Sequence, residues 1–304
     1  MEVINMMQIE LRQLENNVEV IGTIKSKELE IKKSKVGANY ITGKLVLESK
    51  FDSRVHEQII KVFVMASSKL YPGILTVLNE YQVSDRIKVR GLLKLCEYYN
   101  NQGNLIQFNE VRGMYFNRLE TNNTDPDKAA ASVETIIDSF SEKLGADGLP
   151  TGEYYVNGFT VGYKNEVIEL KNVVIGPEIA GEFINLYQPG STGQLFYQFN
   201  NYAESNEQTE ATERTHAFGK VVTIETPNAN KKIVRNIEIV SGDFPYSNGH
   251  EYTKFEIDNA KKVRATAISN LVNKSNTSTP QKNTAFSKSV VVPSLVSDDS
   301  LPDF

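Results

Sequence analysis

The chain has 304 residues, 40% of them hydrophobic and 23% charged, with a net charge of −5. That is ordinary globular composition with room for two domains. No apolar run nears the ~20 residues needed to span a bilayer, and the opening "MEVINMMQIELRQLENN" carries acids and no apolar core, so neither a membrane span nor a signal peptide is expected. Cys96 is the single cysteine and His56, His216 and His250 are scattered, which excludes an intramolecular disulfide and gives no zinc-ligand spacing. The expectation is a cytoplasmic protein with no membrane association, no metal and no cofactor.

The charge is uneven: residues 1–120 carry +3 and the remainder −8. The net charge by itself argues against a nucleic-acid binder, while a mildly basic front half with an acidic rear is read either as an asymmetry tied to partners or as chance scatter, which a difference of this size does not exclude.

After an N-terminal segment (1–17), residues 18–119 read mostly as strand. "VEVIGTIKSKELEIKK", "NYITGKLVLES" and "QIIKVFVMAS" alternate apolar and polar residues, the period of two that a half-buried strand requires. "SKLYPGILTVLNEYQ" reads as a short helix with Pro72 near its start. "DRIKVRGLLKLCEYY" and "LIQFNEVRGMYF" are strands again, separated by the turn-forming "NNQGN". Three strands, a helix and two strands is the order of an OB-fold, a five-stranded Greek-key barrel used mostly on oligonucleotides and oligosaccharides. The polar "ETNNTDPDKAAAS" (120–132) reads as a linker and "VETIIDSFSEKL" (133–144) as a short helix. A second strand-rich region, 133–250, has the helical "PEIAGEFINLYQ" between strands, but only two strands precede that helix. It is therefore expected to be a divergent OB-like β domain, with "ESNEQTEATER" (204–214) as an acidic loop. Helical periodicity follows over 251–273. Residues 274–304, rich in Ser, Thr, Asn and Pro, read as a disordered tail.

Catalytic signatures are missing from the sequence. Gly37 and Gly43-Lys44 bracket five residues and Leu45 follows, where a P-loop needs four and a Ser or Thr. "LPTG" (149–152) is a turn. No Ser/His/Asp or Cys/His arrangement stands out, so the reading is a binding protein rather than an enzyme.

The front barrel carries the candidate site. Facing Ile41, Gly43 and Leu45 inward turns Tyr40 and Lys44 outward. Facing Ile60, Val62 and Val64 inward does the same for Lys61 and Phe63. The alternation in "DRIKVRGLLKL" presents Lys88 and Arg90. Two loops are expected at the rim, one with Lys32, Lys33 and Lys35, the other with Tyr98 and Tyr99. Cations interleaved with aromatic rings suit single-stranded nucleic acid, whose phosphates need charge and whose unpaired bases need flat apolar platforms. The plainer reading is that lysines on a strand face keep it soluble. The second region is aromatic but poorly charged, which makes it the weaker candidate for DNA.

The tail ends "SDDSLPDF". With the strand–helix order, the polar tail and this acidic end, the chain resembles single-stranded DNA-binding proteins of bacteria and their phages. In that family a run of Asp followed by an apolar residue, Pro and Phe docks replication and repair proteins. Asp298, Asp299, Leu301, Pro302 and Phe304 match, Asp303 is inserted, and Ser300 stands where the family has an acid. The resemblance implies a protein, phage-encoded, that coats single-stranded DNA during replication or recombination in the host cytoplasm and recruits partners through Asp298–Phe304. The competing expectation is a phage structural or scaffolding protein that uses OB-like domains for protein contacts.

Overall fold

The computed structural model describes residues 10–100, 102–214 and 222–277, with side chains described except at 205–231 and 273–277. Residues 278–304 of the expected tail, with its tip, lie outside the described residues, as does His216, while residues 274–277 continue a helix instead of starting the tail. Strands β1 (Asn16–Lys33), β2 (Asn39–Phe51) and β3 (Arg54–Met65) form an antiparallel meander. Val20 and Ile24, Ile41, Leu45 and Leu47, and Ile60, Val62 and Val64 all point into one core. Helix α1 (Tyr71–Glu80) starts at Pro72, whose fixed φ and missing N–H suit a first turn. It buries Ile74 and Val77 in the mouth of the barrel. Its free C-terminal carbonyls are bound by Lys27 Nζ, which donates to Leu78 O at 2.8 Å and Tyr81 O at 2.5 Å, a cation where the helix dipole favours one.

β4 (Arg86–Tyr99) and β5 (Leu105–Arg118) complete the first ring. β4 pairs antiparallel with β1 and with β5, and β5 closes on β3 through a short parallel contact, Ile60 with Val111 and Lys61 with Arg112. This is the five-stranded closed barrel that the element order implies. Gly43 sits where β2 curls under β1: its φ is +140°, and a Cβ there would lie 1.9 Å from Glu28 O, so no other residue fits.

The segment 133–144 corrects the sequence reading. It is not a helix but the end of β6 (Lys128–Leu144). Val133, Ile136, Ile137 and Phe140 do fall at helical spacing. Yet Ala129, Ala131, Val133 and Thr135 alternate into the interior, and β6 has hydrogen-bonded strands on both sides, β1 and β10. A bulge between Ile137 and Ser139 then lets Ile136 and Ile137 both be buried, in different clusters, which mimics the helical period. The last five residues of the expected linker, 128–132, belong to this strand.

β6 supplies the strand that the second region lacked in sequence. After it come β7 (Pro150–Val161), a single 3-10 turn (Tyr163–Asn165), β8 (Val167–Leu170), β9 (Val173–Ile175), α2 (Pro177–Leu186), β10 (Thr192–Arg214) and β11 (Val222–Gly242). The pairings β6–β7, β7–β9, β9–β11 (parallel), β11–β10 and β10–β6 close a second ring. The connectivity repeats the first barrel, including the single parallel closure. The supposed acidic loop at 204–214 is the distal half of β10, paired with β11 out to Arg214 and Val222.

Contacts along several strands join the rings, among them Asn109 Nδ2 donating to Glu169 O at 2.8 Å. β1 and β6 pair antiparallel from Asn16–Val133 to Ile21–Lys128, making one eleven-stranded sheet. β10 reaches β3, where Gln58 Nε2 donates to Phe199 O at 2.9 Å. The imidazole of His56 is stacked on Phe51 (3.7 Å between centroids) with Tyr202 against its edge. Helix α3 (Lys254–Thr277) lies across both rings, and Leu11 and Leu14 pack beneath it with Phe159, Tyr252 and Ala260. No helix among the described residues is long and apolar enough to cross a membrane.

Candidate nucleic-acid interface

The outer face of β2, β3 and β5 is built by register. Lys44 stands opposite Lys61 across β2–β3, and Lys61 opposite Arg112 across β3–β5. Three cations thus form a row perpendicular to the strands, about 5 Å per step. Arg112 was not picked out from sequence, although the alternation around buried Val111 exposes it. Its signal was hidden because β3–β5 pairing is not local. Two residues along β3 and four along β2, Phe63 and Tyr40 bring their rings to 5.3 Å at a 42° tilt, and Phe63 is 49% exposed. The rings of a hydrophobic pair on a solvent face bury little against the core, which leaves their faces for a ligand.

Acids from β1 and β5 face the same row. Glu28 approaches Lys44 at 3.3 Å, Glu30 binds Lys32 at 2.6 Å, and Glu110 accepts from Arg112 at 2.7 Å. The Glu30 carboxylate raises the Lys32 pKa above its ordinary value. The Lys32–Glu30 pair and the Glu28 side of the Lys44 pair are solvent-exposed, so each of these is worth little and can be exchanged for a phosphate, whereas Arg112 and Glu110 are mostly buried. A groove of about 510 Å³ runs along the row, lined by Glu28, Thr42, Lys44, Lys61, Glu110 and Arg112 among others.

The remaining sequence-derived residues are distributed as follows. Lys32 and Lys33 lie at the end of β1 rather than in a loop, and Lys35 is in the tight turn after it, closed by Ser34 N–H to Ala38 O at 2.8 Å. All three are exposed near Tyr40. Lys88 and Arg90 are not on this face. They sit on β4 beside β1, where Lys88 binds Asp125 at 2.9 Å and Arg90 binds Glu19 at 2.8 Å. Burial pushes the Glu19 carboxyl up, but hydrogen bonds from Lys128 and Arg90 outweigh it and hold its pKa below the usual range. Tyr98 and Tyr99 belong to β4 itself, opposite Ile106 and Leu105. Ile106 precedes Arg112 on β5 while Phe63 follows Lys61 on the parallel β3, so Tyr98 lies on the other side of the cation row from the Tyr40–Phe63 pair. The structure therefore brings together Lys32, Tyr40, Lys44, Lys61 and Phe63, and adds Arg112.

Among solved structures, the wild-type single-stranded DNA binding protein from Thermus aquaticus is similar at 12% identity and a TM-score of 0.49, covering 80% of this chain and 98% of that one. The small single-stranded DNA-binding protein from Streptomyces coelicolor (12%, TM-score 0.27) covers 35% of this chain and 96% of that one. The Plasmodium falciparum SSB in complex with ssDNA (18%, TM-score 0.28) covers 36% of this chain and 98% of that one. No curated protein matches the sequence. The family model described as YorF matches residues 15–274, from the start of β1 through both barrels and nearly all of α3, and the chain belongs to the YorF family.

Proposed function

We propose that the chain binds single-stranded DNA without sequence preference through the outer face of its first barrel. The observation that carries this reading is the cation row Lys44–Lys61–Arg112 beside the Tyr40–Phe63 ring pair. The row spaces charges for a phosphate backbone, and the rings offer stacking worth about 1–3 kcal/mol per base, tolerant of any base. Lys32, Lys33 and Lys35 extend the positive rim. The two barrels, each read as a domain with the boundary between 120 and 127, are joined by β1–β6 pairing, and the first of them carries this platform. The setting inferred is phage or bacterial DNA replication or recombination in the cytoplasm. There the acids Asp298, Asp299 and Asp303, with Leu301, Pro302 and Phe304, would recruit replication proteins with a basic, apolar surface.

Titrating fluorescent oligo-dT with the purified full chain over a salt series tests this. Affinity is expected to fall with salt, with a log–log slope of about −0.7 per phosphate contact. Binding that is absent at low salt would overturn the assignment in favour of a protein-contact role.

A further inference from the structure

The groove on the first barrel does not end at β5. A second, smaller cleft of about 100 Å³ opens between the barrels, and Lys61 and Glu110 line both. Its far wall is from the second barrel: Lys171 and Asn172 from the turn between β8 and β9, Asn200 and Asn201 from β10, and Arg235 and Asn236 from β11. Register sets Arg235 directly opposite Asn201 and Asn236 opposite Asn200.

The chemistry of this wall is that of an anion site. Lys61, Lys171 and Arg235 face the cleft against one carboxylate, Glu110, which is held by Arg112 at 2.7 Å. Lys171 is bound to Glu169 at 2.7 Å, whereas Arg235 makes no ion pair with a described residue. Asn236 uses its Oδ1 to accept from Asn200 Nδ2 at 3.1 Å, which leaves its own amide N–H groups as donors. The volume is below the ~300 Å³ of ordinary small-molecule pockets. It suits a phosphate group rather than a whole nucleotide.

We propose that this cleft binds a backbone phosphate of the same single strand that lies on the first barrel, with Arg235 as its principal ligand and Asn236 and Lys171 in support. The inference rests on the DNA-binding reading above and deepens it. The strand passes Lys61 and crosses to the second barrel, so the second barrel, acidic overall, joins the binding path at one cationic point. An arginine suits this place because its planar fork can hold a phosphate bidentately. The cleft is reached only by a strand long enough to run off the first barrel.

The test uses the full chain and two oligo-dT probes. One is about 8 nucleotides long, within the ~4–16 that one OB-fold occupies, and the other about 30. Arg235→Ala is expected to weaken binding of the long probe about tenfold and to reduce its salt slope by about 0.7. Binding of the short probe should stay unchanged, and Arg235→Lys should recover part of the loss. Equal affinity and slope for the long probe in wild type and Arg235→Ala would overturn the proposal while leaving the DNA-binding reading intact. So would equal losses for both probes, which would put Arg235 on the first-barrel face or in its folding. Wild-type protein that binds neither probe would overturn both readings together.

Discussion

Arg264 of α3 grips Glu97 of β4 with both terminal nitrogens, at 2.8 and 2.5 Å, and also reaches Glu169 of β8 at 3.2 Å. One guanidinium, 7% exposed, thereby ties the C-terminal helix to both barrels. Its Nε has no protein partner, so all the compensation for burying this charge comes from the two carboxylates. Arg264→Ala is expected to leave Glu97 with only Gln107 and Glu169 with only Lys171, and to cost about 3 kcal/mol, as for other buried pairs broken on one side. A denaturant titration reads this as a lower midpoint, and the further Glu97→Gln change should return part of the loss.

The same clasp should open in acid. Burial pushes Glu97 and Glu169 up, but Arg264 with Gln107 on the one, and Lys171 with Arg264 on the other, outweigh it and hold both carboxyls below their usual values. Groups depressed on folding contribute stability that is complete above the unfolded carboxylate range near 4.3 and is lost as pH falls through their folded values. Hydrogen exchange of α3 should therefore accelerate below about pH 4, and this acid dependence should shrink in Glu97→Gln.

His56 gives a second pH window. Burial lowers its pKa, and its Nε2 is buried without a partner, so the ring between Phe51 and Tyr202 is held neutral. The unfolded chain then takes up a proton first, and stability is complete above about 6.5 and falls as pH drops below it towards the folded value. His56→Phe should remove the decline between pH 6.5 and 5 in thermal melts. Persistence of the full decline in that variant would assign it to another group.

On the binding face, Phe63→Ala is expected to weaken oligo-dT binding by about 1–3 kcal/mol without altering the salt slope. Lys61→Ala should flatten the slope by about 0.7. Glu28→Gln removes the acid beside Lys44 and should tighten binding, since a phosphate no longer competes with a carboxylate. Fluorescence titrations at several salt concentrations separate the three.

On the proposed reading, in which the tail acids compete with DNA for the cation row, deleting residues 297–304 should leave oligo-dT affinity equal or raise it at low salt. A fall in affinity on deletion would place the tip in DNA binding rather than in partner docking.

The local pattern of residues determined much of this protein. Period-two alternation set the inward and outward faces of β2 and β3, and with them the outward placement of Tyr40, Lys44, Lys61 and Phe63. Pro72 and Pro177 marked the starts of α1 and α2. Those signals are legible because each depends on neighbours one to four residues away. Tertiary structure decided what depends on distant pairing. β6 is a strand because β1 and β10 bracket it, against its helical spacing. Lys88 and Arg90 leave the face because β4 pairs with β1, beside Glu19 and Asp125. Arg112 joins Lys61 only through a two-residue parallel contact across fifty intervening residues, and Arg235 lines the neighbouring cleft with Lys61 only because the second barrel packs against the first. Strand order around a closed ring is set by hydrogen bonds between segments far apart in the chain, and no local periodicity encodes it.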